Sequence, residues 1–298
     1  MAAAFIGVCG HASSEFFAVF SGVSGPEVSV WRYMIGAAGL LVWALATPAS
    51  RDLLGPLRTA PMRFVLLSLA GVTGAYLAFH WALDFASVVQ VATIVTTIPI
   101  FVGIANLAIN GTAISTVKLI TGAMATLGVV VLLTDGYLGD LTGETRTLFG
   151  IALALICAAL AAVYSVLVKP FMAEHGALTV TTSSLLIGAI GLWVTVGLGW
   201  GLWVNPATLF EREPVAVTSL LILGLWNTTI TQVLWLGGLA AAPDITRASY
   251  LFFLKPVIAA GLALIFLSQP ITLLQGLAIL LVTGSVAVEV LWPKVSRA

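Results

Sequence analysis

Two stretches of this sequence, Thr96-Thr97-Ile98-Pro99-Ile100-Phe101 and Leu254-Lys255-Pro256-Val257-Ile258, each place a proline inside a long apolar segment. Each stretch lies in the fourth long apolar segment of its half of the chain, and the two prolines are 157 residues apart. Other residues recur at nearly the same distance, which indicates a duplicated unit. The matching pairs are Gly36 and Gly188, Gly39 and Gly191, Trp81 and Trp235, and Gly122 and Gly276.

The composition excludes a water-soluble globule. Of the 298 residues, 60% are hydrophobic and 8% are charged, and the mean hydropathy is +1.12. Soluble domains carry about 25% charged residues, so the sequence predicts a polytopic membrane protein in contact with the lipid bilayer. The net charge is zero, and no basic surface indicates a nucleic acid partner. Cys9 and Cys157 both lie in apolar segments, where cysteine behaves as a small buried hydrophobe.

Ten apolar segments are long enough to span a bilayer, which takes roughly 20 residues. The first lacks the positively charged leader of a secretory signal and is interpreted as a span. Because five is odd, a second copy of a five-helix unit lies upside down relative to the first, as in alternating-access transporters. The predicted fold is an all-α polytopic membrane protein with ten transmembrane helices, arranged as two inverted five-helix repeats (1–140 and 141–298) around a central cavity. The predicted spans are 2–22, 27–46, 62–84, 88–110, 115–134, 147–170, 177–201, 215–240, 245–267 and 271–292.

The distribution of Lys and Arg between short loops predicts the orientation, because cytoplasmic loops are enriched in these residues. With the N-terminus inside, the outer loops contain Arg146 and Arg212, and the other basic loop residues fall on the cytoplasmic side. Both termini are therefore predicted to be cytoplasmic, in the cell's inner (plasma) membrane. The cytoplasmic set is Arg51, Arg58, Arg63, Lys118, Lys169, Arg247, Lys294 and Arg297.

Lys255 is the strongest candidate for a substrate-binding residue. It lies deep in the ninth predicted span, where an ionisable group is costly unless it faces a cavity or a partner. Pro256 follows it and has no amide hydrogen, so the carbonyl of Phe252 loses its helical donor. Pro99 frees the carbonyl of Val95 in the same way. Both helices should bend and present acceptors to substrate or water; the alternative is a kink that packing alone maintains.

The first predicted span contains a second polar pair. His11 and Glu15 are four residues apart and therefore lie on one helical face. They could share a proton or meet a substrate ammonium. Alternatively, Glu15 forms a structural salt bridge with Lys255, since buried charges usually have partners.

The third predicted span carries a polar stripe. Tyr76, His80 and Asp84 follow one another at intervals of four, with Trp81 beside them. This spacing places the three polar side chains on one face. Tyr76 and His80 are candidate cavity residues, whereas Asp84 is also explained by its place at an interfacial helix end.

The eighth predicted span is polar through its middle. Such a density of polar groups is too high for a face in contact with lipid, so cavity lining is expected. The residues are Asn227, Thr228, Thr231, Gln232 and Trp235.

Arg32 in the second predicted span has both structural and functional interpretations. It lies near the outer end of the span, within reach of the interface. Its charge could snorkel toward water, pair with Glu27 or have a functional role, and these alternatives stay open.

At this point the sequence resembles a known family. The stretch from Pro256-Val257-Ile258-Ala259 through Leu267-Ser268-Gln269-Pro270 to Gln275-Gly276 is similar to the second repeat of the EamA-type drug/metabolite transporter superfamily. Arg32, Ile98-Pro99-Ile100-Phe101 and Gly122 echo it in the first half. Members often carry Glu after the ninth span, where this chain has Gln269. The ten-span arrangement and the polar residues are most similar to YddG-like exporters of aromatic amino acids.

The resemblance implies a central cavity between the halves and export of aromatic or hydrophobic amino acids and related small metabolites by alternating access. Aromatic side chains suit a substrate ring, while Lys255 and the freed carbonyls suit the two charges of a zwitterion. The aromatic candidates are Tyr76, Trp81, Trp235 and Tyr250.

Three other functions are compatible with parts of the pattern. Lys255 could serve an anionic, sugar-phosphate-like metabolite exchanger. The string Gly22-Val23-Ser24-Gly25 matches the motif of rhomboid-type intramembrane proteases, whose serine needs a histidine base in reach. Here Ser24 falls in a short outer loop before Pro26, and ten spans with an internal repeat do not suit that family. A metal carrier could use His11, Glu15, His80 and Asp84.

Nothing in the sequence indicates an enzyme or a cofactor. No Gly-Lys-Ser/Thr phosphate-binding string is present, so the chain has no means of its own to hydrolyse ATP. Transport must follow a gradient, either by proton exchange or by facilitated diffusion. The substrate, the oligomeric state (a monomer is the simplest case) and the resting conformation stay open at this point.

Overall fold

In the computed structural model, every regular element of the described residues (1–23, 25–86, 88–134, 145–267 and 271–295) is helical. Within these ranges nine helical stretches are long and apolar enough to cross a membrane. The predicted class, an all-α polytopic membrane protein, is confirmed. The nine stretches are Gly25–Ala46, Pro61–Ala82, Gln90–Asn110, Thr116–Thr134, Thr147–His175, Ala177–Trp200, Pro214–Ala240, Ile245–Leu262 and Leu273–Val290.

Several of these stretches consist of more than one helix, because a turn or a short segment of another helix type divides them. The π-helical segments are Leu69–Gly74 and Leu225–Ile230, and the 3₁₀ segments are Pro48–Ser50, Pro206–Glu211 and Tyr250–Phe253. The α-helices are α1 (Ala2–Ala12), α2 (Ser14–Phe20), α3 (Gly25–Ala46), α4 (Gly55–Thr59), α5 (Pro61–Ser68), α6 (Ala75–Ala82), α7 (Val88–Thr96), α8 (Ile98–Asn110), α9 (Thr116–Thr134), α10 (Thr145–His175), α11 (Ala177–Trp200), α12 (Pro214–Gly224), α13 (Thr231–Ala240), α14 (Ile245–Ser249), α15 (Leu254–Leu267) and α16 (Leu273–Val295).

The first predicted span is broken. It consists of α1 and α2, with 11 and 7 residues, separated at Ser13. The Ser13 hydroxyl donates to the carbonyl of Gly10, and the Ser14 hydroxyl donates to that of His11, so side chains satisfy carbonyls that the break frees. Neither helix alone is long enough to span a membrane, and the count of ten spans stays a prediction.

The third and eighth predicted spans share a rare feature. A π-helical turn separates α5 from α6 at Leu69–Gly74, and another separates α12 from α13 at Leu225–Ile230. Such turns make up well under 1% of residues in proteins and often mark functional sites. The two turns occupy corresponding positions in the two halves, 156 residues apart.

Each π-helical turn contacts a glycine-bearing helix from the other half. The Thr73 hydroxyl donates to the carbonyl of Gly188 at 2.9 Å, and the Thr229 hydroxyl donates to that of Gly36 at 2.9 Å. A side chain at Gly188 would collide with Val72, and one at Gly36 would collide with the Thr228 side chain. These matched contacts are what a duplicated unit predicts. The predicted boundary at residue 140 lies outside the described residues.

Both proline-containing spans are interrupted rather than bent. In the fourth, α7 ends at Thr96, and α8 begins with Pro99 in its first turn. In the ninth, the 3₁₀ segment Tyr250–Phe253 separates α14 from α15, and Pro256 is the third residue of α15. Each expected bend therefore takes the form of a change of helix, with the proline in the first turn of the following helix, where a missing amide hydrogen leaves no helical bond unmade.

Candidate functional site

A central cavity lies between helices of both halves. About 70 Å³ is available there to the centres of water molecules, whereas one water needs about 10–15 Å³. The cavity therefore has room for several waters or for the polar part of a small organic ligand. The first, third, fourth, sixth, eighth and ninth predicted spans line it, and α3 and α11 also contribute to its wall. Of the predicted site residues, the lining includes His11, Tyr76, Gln232, Trp235 and Lys255.

Lys255 lies in the cavity wall with its side chain between two aromatic rings. Its Nζ is 5.9 Å from the ring centroid of Phe79 and 5.9 Å from that of Phe252. The residue is buried, with 7% of its surface exposed. The break before α15 places this lysine in the first turn of a helix, so its ammonium is held beside apolar rings that attract cations through their faces.

His11 extends the aromatic wall around the lysine. Its imidazole meets the rings of Trp235 and Phe252 edge-on, at centroid distances of 6.2 and 5.7 Å. The Nε2 atom is buried and has no hydrogen-bond partner among the described residues. This nitrogen is therefore available to a ligand or a water in the cavity. The side chain of Glu15, the predicted partner of His11 or Lys255, lies outside what the structure describes.

Tyr76 and Gln232 join the two halves across the cavity. They lie in α6 and α13, 156 residues apart, which is also the separation of the two π-helical turns, and the Gln232 amide donates to the Tyr76 hydroxyl. The ring of Tyr33 packs on that of Tyr76 at a centroid distance of 4.3 Å. These contacts place a polar group from each half in the same wall of the cavity.

The structure corrects the interpretation of Arg32. This residue neither snorkels nor pairs with Glu27; it is buried, with 3% of its surface exposed, and it lines the cavity. Its Nε donates to the Thr228 hydroxyl at 3.0 Å, and its Nη2 donates to the carbonyl of Asn227 at 3.1 Å. Glu27 instead accepts from Arg212 at 3.0 Å.

A signal for Arg32 was present in the sequence. Ser29, Arg32 and Gly36 are spaced so that they share one helical face. Gly36 was already identified as a residue of the repeated pattern, and a glycine on that face allows close approach of another helix. Arg32 therefore had to face protein. Its position near the end of the span had instead suggested that its charge could reach water.

Asn227 and Thr231 are buried beside the cavity and do not line it. The Asn227 amide donates to the Gly10 carbonyl at 2.5 Å and to the Ser13 hydroxyl at 2.8 Å. It thereby ties the break in the first span to the π-helical turn of the eighth. Thr231 packs against Gly10, and its hydroxyl has no partner among the described residues. Both residues position the walls.

Three further predicted site residues lie away from the cavity lining. His80 is buried behind it, with Nδ1 at 2.6 Å from the Ser29 hydroxyl. The Tyr250 hydroxyl donates to the carbonyl of Lys118. Trp81 belongs to an aromatic cluster at one end of α6, in edge-on contact with Phe85, Phe149 and Trp200.

The two prolines act through their neighbours. Neither Pro99 nor Pro256 lines the cavity, but the residue before each of them does. These residues are Ile98 and Lys255, which correspond to one another in the two halves. The breaks therefore aim an apolar side chain from one half and a cationic side chain from the other at the same space.

The structure provides no support for the metal-carrier or protease interpretations. Within the described ranges, no three His, Cys, Asp or Glu side chains lie close enough together to hold a metal ion. Ser24, on which the protease interpretation depends, lies outside the described residues, as does Gln269.

A helical membrane bundle whose halves enclose a polar and aromatic cavity has the architecture of a transporter. Comparison with known proteins agrees. Residues 1–134 and 148–291 match the EamA-like transporter family. The match covers most of the chain, so this protein belongs to that family and is a membrane transporter.

The similar proteins are distant in sequence. An uncharacterised transporter from Archaeoglobus fulgidus is 26% identical over 243 residues, which are 82% of this chain and 80% of that protein. The uncharacterised transporter YyaM from Bacillus subtilis is 24% identical over 242 residues, covering 77% and 73% of the two chains. One solved crystal structure superposes with a TM-score of 0.81 over 100% of this chain and 99% of that chain, at 19% identity. At this identity the superposition establishes the fold alone.

Proposed function

We propose that this transporter exports aromatic or hydrophobic amino acids and related small metabolites across the inner membrane, with both termini in the cytoplasm. The observation that supports this proposal best is the position of Lys255 in the central cavity, where Phe79 and Phe252 flank its ammonium. A cation beside aromatic surfaces fits a ligand that combines a carboxylate with an apolar ring. The matched contacts between the halves support alternating access by rocking of two inverted repeats.

The cavity offers separate surfaces for the parts of such a substrate. Trp235, Phe79 and Phe252 provide flat apolar area for a ring. Lys255 provides the charge that a carboxylate needs. His11 Nε2 and the Tyr76–Gln232 pair provide polar atoms that hydrogen-bond the rest of the ligand.

An anionic metabolite exchanger is the second candidate, and one observation favours it. Arg32 places a second cation in the same cavity wall as Lys255, and two cations suit a phosphate better than one. The aromatic lining argues against a hydrated sugar phosphate, which has no apolar face of comparable size. We therefore place the amino acid first.

Flux measurements on proteoliposomes test both candidates. Vesicles that contain the wild-type protein are loaded with labelled L-phenylalanine or a labelled sugar phosphate, and efflux is followed with and without an imposed pH gradient. We expect phenylalanine efflux and no sugar phosphate efflux. A pH-dependent rate indicates proton exchange, whereas an unchanged rate indicates facilitated diffusion.

Lys255→Met is the critical variant, and Ile98→Met at the corresponding position of the other half is its matched control. We expect Lys255→Met to reduce phenylalanine flux about tenfold or more, since loss of a charged hydrogen-bond partner costs about 1.5–3 kcal/mol. Ile98→Met should retain most of the flux because it exchanges one apolar side chain for another. Equal fluxes in the two variants contradict a binding role for Lys255.

A further inference from the structure

Arg32 is a buried cation whose charge the described part of the protein does not neutralise. Its guanidinium is ionised at any accessible pH, yet 3% of the residue surface is exposed. A charge removed from water is costly unless an opposite charge or several hydrogen bonds compensate it. None of the carboxylates in the described ranges forms an ion pair with it, and the nearest candidate by sequence, Glu27, is bonded to Arg212 and to the indole of Trp31.

The guanidinium is fixed on one edge and open on another. Nε and Nη2 are held by the Thr228 hydroxyl and the Asn227 carbonyl, both in the π-helical turn. Thr228 in turn donates its hydroxyl proton to the carbonyl of Leu223 at 2.9 Å, so its oxygen is oriented to accept from Arg32. The structure gives Nη1 no hydrogen-bond partner among the described residues, although Arg32 forms part of the cavity wall. A preorganised fork with free donors is suited to an incoming carboxylate.

The other half of the molecule shows that the scaffold does not need an arginine here. The position that corresponds to Arg32 is occupied by Ser184, 152 residues later, at the offset that relates Gly36 to Gly188. Ser184 is a neutral residue that accepts a hydrogen bond from Tyr164 at 2.9 Å. The same helix contacts therefore form without a guanidinium. A costly buried charge that only one of two matched positions carries is better explained by a ligand than by folding.

We infer that Arg32, with Lys255 as the second cation of the same wall, forms the anion subsite of the cavity and binds the carboxylate of the transported molecule. The inference rests on the proposed function and deepens it, because it makes the carboxylate, and not the amino group, the part of the substrate that must be present. Aromatic carboxylates with or without an α-amino group should bind. Aromatic amines and amino acid amides, which lack the anion, should not.

Binding of four small probes to the purified protein tests this assignment. The probes are L-phenylalanine, 3-phenylpropionate, 2-phenylethylamine and L-phenylalaninamide, measured by calorimetry on the wild type, Arg32→Gln and Arg32→Lys. We expect the wild type to bind the first two, and Arg32→Gln to bind both at least about tenfold more weakly, the factor expected for loss of a charged hydrogen bond. Arg32→Lys keeps the charge but loses the planar fork, so its affinity should fall between the other two.

The outcomes separate the inference from the proposed function. If Arg32→Gln remains folded by thermal unfolding and binds L-phenylalanine as tightly as the wild type, the Arg32 assignment is wrong and the amino acid function stands. If only 3-phenylpropionate binds, and its binding depends on Arg32, the assignment holds and the amino acid function is wrong. Failure of all four probes to bind the wild type overturns both. Arg32→Lys distinguishes a binding role from a folding role. If Arg32 acts only in folding, Arg32→Lys restores the stability that Arg32→Gln loses and leaves the order of probe affinities unchanged.

Discussion

The two halves of the molecule share their backbone contacts and differ in their cavity chemistry. Thr73 and Thr229 make the same bond to a glycine carbonyl at the same distance of 2.9 Å. At the cavity, however, Ile98 in one half corresponds to Lys255 in the other, and Arg32 corresponds to Ser184. The threonine–glycine contacts between helices occur in both halves, whereas each of these charged cavity residues has a neutral counterpart in the other half. The single cavity thus combines one cation from each half.

Substitution of the glycines at the helix contacts should have the largest effect on stability, and it tests whether the two halves pack equivalently. Gly36→Val and Gly188→Val each place a side chain where Thr228 or Val72 lies, so we expect both to destabilise the fold by about 1–3 kcal/mol or more. Thermal unfolding of the purified variants and their folded yield measure this. Gly199→Val in α11 is the control, because a Cβ there meets nothing within 4 Å. A severe loss in one variant with none in the other contradicts equivalent packing in the two halves.

The threonine bonds sharpen the comparison at smaller scale. Thr73→Val and Thr229→Val each remove one hydroxyl that donates to the opposite half and keep the shape of the side chain. Hydrogen bonds between membrane helices contribute about 0.6 kcal/mol on average, so each variant should lower the unfolding temperature slightly and by a similar amount. The double variant should show the sum of the two effects, since the two hydroxyls share no hydrogen-bond partner. A large effect in only one single variant argues against equivalence.

The smallest expected effect concerns a charge that only one half carries. Asp244, just before α14, accepts from Lys118 at 2.5 Å and from the amide of Arg247 at 3.1 Å. At the offset of 157 residues that relates the two prolines, Asp244 corresponds to Ser87 and Arg247 corresponds to Gln90, and both of these residues are neutral. Burial of the Asp244 carboxyl opposes ionisation, but the hydrogen bonds from Lys118 and from the Arg247 amide, together with the charges of these two residues, outweigh it, and the pKa is lowered.

A lowered pKa in the folded state means that the ionised Asp244 stabilises the fold. This contribution is fully present above the unfolded pKa of about 3.9 and is lost as the pH falls through the folded value. Asp244→Asn should therefore unfold at a lower temperature than the wild type at pH 7, and the difference should shrink as the pH is lowered below about 4. Unfolding curves at several pH values measure it. A difference that stays constant with pH points to packing and not to charge.

The sequence alone predicted the membrane class and most helix bounds, because apolar length and loop charge control both. For example, the predicted span 177–201 is observed as Ala177–Trp200, and the predicted 27–46 as Gly25–Ala46. Five of the predicted site residues line the cavity for a similar reason. Lys255, His11 and Gln232 are polar groups in apolar helices, and such groups must face a cavity or a partner.

Features that depend on backbone register could not be predicted in this way. The π-helical turns carry too little residue pattern to be predicted: Leu69–Gly74 and Leu225–Ile230 share only a leucine at the first position and a threonine at the fifth. Because Asn227 lies in such a turn, its backbone carbonyl meets Arg32 and its side chain bonds to the broken first span, so it positions walls and does not line the cavity. Arg32 was misplaced because depth along one helix does not reveal what the opposite helix offers.

The central claim is that a substrate-binding cavity lies between the two halves, and Cys157 offers a direct test because it forms part of the lining and is buried. In a Cys9→Ser background, Cys157 is the one remaining cysteine of the chain. The measurement is its rate of reaction with a small methanethiosulfonate reagent in proteoliposomes, with and without L-phenylalanine. The account predicts slow labelling that L-phenylalanine retards several-fold and that abolishes efflux. A labelling rate that the amino acid leaves unchanged, with efflux intact after complete modification, contradicts it.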